Sequence, residues 1–121
     1  MNNLQTGRLG EVAAKNLLIS KGYRILYQNY RSRWGEIDII AGKDKKITFV
    51  EVKTRIGDVK SKPYESVTKR KINNLRRPIE FFLLRNHYEK YKFSLDVISI
   101  IFNRYNEITE LKHFENINLY D

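Results

Sequence analysis

The chain predicts an α/β fold, one sheet flanked by helices, on three observations. Two stretches carry apolar residues at helical spacing, several runs are rich in β-branched and aromatic residues, and their order is helix, three strands, helix, then one or two strands. A length of 121 residues with 41% hydrophobic content suits a single domain, residues 1–121, around one core.

Gln5 to Lys21 reads as the first helix, with Leu9, Val12, Ala13, Leu17 and Leu18 as its apolar surface, Thr6 as N-cap and Gly22 as its stop. Glu11 and Leu18 are seven apart and share a side, which turns Glu11 toward the protein. The competing reading is an ordinary surface pair of Glu11 with Lys15 at i, i+4. Tyr23 to Arg31 follows as a strand and Ser32-Arg33-Trp34 as a turn, where Trp34 beside Arg31 and Arg33 either stacks on a base or covers an edge of the core.

Gly35 to Ala41 and Ile47 to Arg55 form a hairpin around the polar connector Gly42 to Lys46. A turn centred between Asp44 and Lys45 pairs residues whose numbers sum to 89, setting Asp38 opposite Glu51 and Glu36 opposite Lys53. Period-2 alternation puts these four on one face with Ile40 and Phe49, and Ile37, Ile39, Val50 and Val52 on the other. Ile56 to Pro63 is a loop, and a second helix begins at Ser66 or Thr68, marked by Ile72, Leu75, Ile79, Phe82 and Leu83, with Arg70 and Arg77 opposite that stripe. Pro78 predicts a kink or break near Arg77. After a polar connector from Asn86 to Lys92, Phe93 to Phe102 reads as a buried central strand and Glu107 to Phe114 as a weaker last one.

Charge and composition narrow the function. Lys and Arg number 23 against 14 Asp and Glu, a net charge of +9. Between Lys53 and Arg77 nine basic residues meet two acidic ones, a net of +7 directly after the hairpin. Such a field favours a polyanion, nucleic acid first, over a merely solubilising surface or an anionic membrane. The absence of cysteine excludes a disulfide framework and thiolate chemistry and suits a reducing cytoplasm. No apolar run approaches the roughly 18 residues of a membrane span, and Met1-Asn2-Asn3-Leu4-Gln5 lacks a signal-peptide pattern, so a cytoplasmic location is expected.

Carboxylates set among apolar strand residues need compensation. Two offsets are open: an ion pair from Glu36 to Lys53, with Asp38 and Glu51 solvated at the sheet edge, or a divalent cation.

Gly10-Glu11 with Ala14, Gly22-Tyr23, Ile25-Leu26, Asn29-Tyr30-Arg31, Gly35-Glu36-Ile37-Asp38-Ile39-Ile40-Ala41 and Phe49-Val50-Glu51-Val52-Lys53-Thr54-Arg55 together resemble the YraN-type family of uncharacterised bacterial proteins, predicted endonucleases. The α-β-β-β-α-β order with Glu, Asp and Glu-x-Lys also resembles the restriction-endonuclease-like PD-(D/E)xK superfamily and is similar to archaeal Holliday junction resolvases. Ser94-Leu95-Asp96 stands where the family usually has Arg-Phe-Asp. The resemblance implies a restriction-endonuclease-like core with a mixed sheet, and a Mg²⁺- or Mn²⁺-dependent phosphodiesterase acting on structured or branched DNA. Asp38 and Glu51 would be metal ligands, with the Val52 carbonyl as a third and Glu11 acting directly or through water. Lys53 would orient or deprotonate the attacking water or offset phosphorane charge, and Arg31, Arg33, Arg55, Lys69, Arg70 and Arg77 would hold the DNA backbone. Cutting both strands of a junction would need a homodimer. Two rivals from other classes are a catalytically silent nucleic-acid-binding module and an interaction protein that uses its basic face.

Overall fold

The computed structural model describes residues 3–57 and 69–118. Its organising unit is the hairpin of β2 (Gly35–Lys43) and β3 (Lys46–Ile56). Asp44 and Lys45 both take positive φ, 50° and 60°, the two-residue turn whose twist matches that of the flanking strands. Pairing runs from Lys43 with Lys46 to Ile39 with Val50, the register expected from a turn at that position. β1 (Arg24–Ser32) lies antiparallel to β2. On the other side β4 (Lys92–Phe102) runs parallel to β3, reached through α2 (Lys69–Arg85), and β5 (Ile108–Phe114) returns antiparallel at the edge. The sheet order is therefore β1-β2-β3-β4-β5, which makes β3 the middle strand and β4 interior beside it. The expected α-β-β-β-α-β core with a mixed sheet is present.

The two helices cover opposite faces. α2 buries Leu75, Ile79, Phe82 and Leu83 against Ile37, Ile40, Ile47, Phe49 and Leu95. Phe82 is wholly buried and meets Tyr27, Tyr30 and Phe49 edge to face, so truncating it would cost about 3–5 kcal/mol. α1 (Asn3–Ser20) covers Ile39, Ala41, Val50, Ile98, Ile100 and Phe102.

α1 differs from its sequence reading. Its buried row is Thr6, Gly10, Ala14 and Leu18, while Leu9 and Val12 are exposed. Small residues let the helix approach the sheet closely: a Cβ at Gly10 would overlap the Thr54 side chain. Thr6, expected as the N-cap, lies within the helix. Gly22 ends it as expected, at φ 91°, with Gly22 N–H donating to Ile19 and Tyr23 N–H to Leu18.

Two further expectations fail. Ile37 joins Ile40 and Phe49 rather than Ile39, because the alternation of β2 breaks at Asp38. α2 runs unbroken through Pro78, which is buried against the sheet side of the helix, its ring lying near Gly35. Packing compensates for the missing N–H, the usual reason a helical proline is tolerated. The Ser66 or Thr68 helix start and the Asp58 to Pro63 part of the loop lie outside the described residues. Among the described residues no helix is long and apolar enough to cross a membrane.

Candidate active-site cleft

Beyond Ile39 and Val50 the ladder between β2 and β3 stops, and a side chain takes over from the backbone. The Val52 N–H donates to Asp38 Oδ2 at 2.8 Å. Asp38 thus fills the gap between parting strands, where it can meet groups from both faces of the sheet. Its carboxyl hydrogen-bonds that of Glu51, as the register requires, and it feels the charge of Glu11 on α1. A cleft of about 550 Å³ opens here, lined by Thr6, Gly7 and Glu11 of α1, by Asp38, and by Val52 to Ile56 of β3. The small side of α1 that packs on Thr54 is what brings Glu11 over the strand end.

The electrostatics are those of crowded acids. Burial, then the neighbouring Asp38 charge, pushes the Glu51 carboxyl up to about 7. Burial also raises Asp38, against the opposing Val52 hydrogen bond. Burial and the Asp38 charge raise Glu11, while a hydrogen bond with Asn29 works the other way. Lys53 is lowered by burial and by Lys71 of α2 beside it. Asp38 and Glu51 are thus both shifted toward their protonated forms, beside a lysine shifted toward its neutral form.

Asp38, Lys53 and Glu11 thus line one cleft, and Glu51 joins them through its contact with Asp38. Asp38 leans toward the α1 side, so the expectation that all the charged residues share one face with Phe49 is corrected by the break in β2. Glu11 is less close than the other two carboxylates: it forms no trio with Asp38 and Glu51 among the described groups whose ligand atoms fall within 4.8 Å. The Glu36 to Lys53 ion pair is replaced by Glu36 with Arg31 at 3.5 Å, both exposed. Arg55 lines the cleft, Arg33 and Arg77 flank the Trp34 ring, and Lys69 and Arg70 are exposed at the start of α2. Lys71 and Asn29 were not anticipated. Lys71 was legible only as one more charge, and Asn29 holds φ 51° in β1, a backbone state that Asn tolerates and that a strand pattern hides.

A second polar cluster lies nearer the opposite end of the α1 face. His113 Nε2 lies 2.7 Å from Asp96 Oδ2, and both side chains are almost fully buried, 3% and 2% exposed. Lys21 Nζ lies 2.8 Å from His113 Nδ1. An ammonium only donates, so Nδ1 accepts and Nε2 carries the proton that binds Asp96. Ser94 Oγ and Asn116 N–H donate to Asp96 Oδ1, each at 3.1 Å. Burial alone would raise the Asp96 carboxyl, yet the hydrogen bonds from His113, Asn116 and Ser94 bring it below its usual range. Asp96, His113 and Glu115 are also spaced like metal ligands, but Lys21 and the Asp96 hydrogen bond already engage both imidazole nitrogens.

Fold and cleft define an α/β protein with a carboxylate–lysine constellation where two central strands part. The chain belongs to the family described as Uncharacterised protein family UPF0102, which matches residues 10–100. It is similar to a UPF0102 protein of Clostridium kluyveri, 42% identical over 110 residues that cover 91% of this chain and 90% of the relative. It is also similar to UPF0102 proteins of Caldicellulosiruptor bescii, 43% identical over 112 residues (92% and 94%), and of Prosthecochloris aestuarii, 45% identical over 109 residues (90% and 85%).

Proposed function

We propose that this protein is a Mg²⁺- or Mn²⁺-dependent endonuclease that hydrolyses phosphodiester bonds in structured or branched DNA. One observation carries the reading: where β2 and β3 part, half-buried Asp38 accepts the Val52 N–H and lies against Glu51, in a cleft that Lys53 and Glu11 also line. Such a pair costs stability when both groups ionise, and a divalent cation removes that cost.

The donor set suits a hard cation, since carboxylate oxygens are what Mg²⁺ and Mn²⁺ prefer. Asp38 and Glu51 would hold the ion, the Val52 carbonyl is a third oxygen at the same strand, and Glu11 would act through water. Bound there, the ion supplies Lewis-acid polarisation of the phosphate and a water of lowered pKa. The chain's own groups do the rest. Lys53 sets positive charge against the phosphoryl oxygens or orients the attacking water, and Lys71 beside it favours a Lys53 that gives up its proton readily. Arg55 at the cleft and Arg31, Arg33, Lys69, Arg70 and Arg77 around it would hold the backbone.

The test is a panel of linear, flapped and four-way-junction DNA with Mg²⁺ or Mn²⁺, comparing wild type with Lys53→Ala. Metal-dependent cutting by wild type alone is the expected result. Equal cutting by both proteins would point to another site, and no cutting by wild type on any substrate would favour a binding module.

A further inference from the structure

Trp34, the only tryptophan of the chain, sits in the β1 to β2 turn and is 41% exposed. It is not idle edge cover. Arg33 from its own turn and Arg77 from α2 bring their guanidinium carbons to 5.1 Å and 4.9 Å from the ring centroid. Two guanidiniums over one partly exposed indole bring an aromatic surface and phosphate-binding groups to the same spot. Beside it opens a cavity of about 580 Å³, which Glu36 and Asn74 also line, a volume in the range of small-ligand pockets. Pro78 contributes a second feature. Lacking an N–H, it leaves the Asn74 carbonyl without its helical donor, and that oxygen lies near Gly35, both residues lining the same cavity.

We infer that this cavity holds one unpaired nucleotide of a DNA strand, its base taking the place of one guanidinium on the Trp34 ring and its phosphates paired with Arg33 and Arg77. An acidic peptide would use the arginines and leave the indole unused. Uninterrupted duplex offers phosphates but no free base face. A single strand supplies both, which is how sequence-tolerant single-strand sites are built.

The position has a consequence for substrate class, and this step rests on the endonuclease reading. Gly35 and Asp38 are about 10 Å apart along β2. The Trp34 cavity opens on the α2 side and the Asp38 cleft on the α1 side, so a strand held at Trp34 would pass around the parting ends of β2 and β3 to bring a nearby bond to the cleft. Flaps, overhangs and open junction arms are then preferred over blunt duplex.

The lone indole reports its own occupancy. In EDTA, titration with a ten-residue oligothymidylate should quench Trp34 emission, whereas an abasic oligomer of the same length at the same salt should not. Measured by anisotropy of labelled oligomers, Trp34→Ala should weaken oligothymidylate binding about tenfold and leave the abasic oligomer unaffected, and Trp34→Phe should restore most of the loss. Equal quenching by both oligomers, or unchanged oligothymidylate binding by Trp34→Ala at an unchanged melting temperature, would overturn the inference. The two readings fail separately: base-dependent quenching without cleavage sinks only the endonuclease, and metal-dependent cleavage without it sinks only the Trp34 site.

Discussion

Both polar clusters set acids among the strands of one sheet, yet one is satisfied and the other is not. Asp96 receives hydrogen bonds from His113, Asn116 and Ser94, and its proton affinity falls despite burial. Asp38 and Glu51 have one backbone donor and each other, and their proton affinity rises. A fold gains from the first arrangement and loses from the second, which marks the second as the candidate functional site. Their different response to substitution is the means of telling structure from function here.

The largest expected effect falls on the satisfied cluster. Asp96→Ala strips the acceptor from a buried imidazole N–H, the Asn116 N–H and the Ser94 hydroxyl, so it should cost about 3–5 kcal/mol in denaturant unfolding. Any nuclease activity per folded molecule should be unchanged. A loss below about 1 kcal/mol would mean that the Asp96 cluster is not structural. Glu51→Gln should do the reverse. The amide can still donate to Asp38 and carries no charge, so stability at pH 8 should be retained or rise by about 1–3 kcal/mol while cleavage is lost.

The contrast explains what the sequence could and could not reveal. The hairpin was legible because Asp44 and Lys45 accept a tight turn and the flanking apolar runs fix the register, and with it the approach of Asp38 to Glu51. The seven-residue spacing of Glu11 and Leu18 was enough to aim Glu11 inward. Hidden were features that depend on three-dimensional fit. The inward row of α1 is its small residues, not its leucines, because Gly10 must meet Thr54. Pro78 does not end α2, because tertiary packing outweighs a lost hydrogen bond. Asp96 read as one polar residue in an apolar strand, since its partners Lys21 and His113 are distant in the chain.

A pH series sharpens the comparison at somewhat smaller amplitude. Because the folded Glu51 carboxyl lies at about 7, above its ordinary 4.5, its contribution is fully present below pH 4.5 and is lost as pH rises through about 7. Metal-free protein should therefore be less stable at pH 8 than at pH 5.5, by roughly 1–3 kcal/mol, and Glu51→Gln should flatten that decline. Asp96 has the opposite sign: its pKa is lowered, so its contribution is present above the ordinary carboxylate range and is lost only as pH falls below it. Mg²⁺ or Mn²⁺ should raise the melting temperature more at pH 8 than at pH 5.5, since the ion competes with protons for these carboxylates. Asp38→Asn should abolish that rise, and an equal rise in the variant would place the ion elsewhere.

The smallest effect concerns the surface around the two clusters. Arg70 and Arg77 are exposed on α2, the helix that brings Lys71 beside Lys53, whereas Lys112 pairs with Glu110 at 3.0 Å on the edge strand near the Asp96 cluster. If DNA lies along the cleft, each phosphate-binding arginine releases condensed counterions, and the slope of log affinity against log salt should become shallower by about 1–2 in the Arg70→Ala, Arg77→Ala double variant. Lys112→Ala should leave the slope as it is. The measurement is an anisotropy titration of flapped DNA at four salt concentrations without divalent metal, so that binding is read apart from cleavage. Because Arg77 also edges the Trp34 cavity, the double variant should lose part of the preference for flapped over blunt DNA, whereas Arg70→Ala alone should shift both substrates equally. A slope change with Lys112→Ala and none with the double variant would move the DNA path to the β5 edge, away from the acids at Asp38 and Glu51.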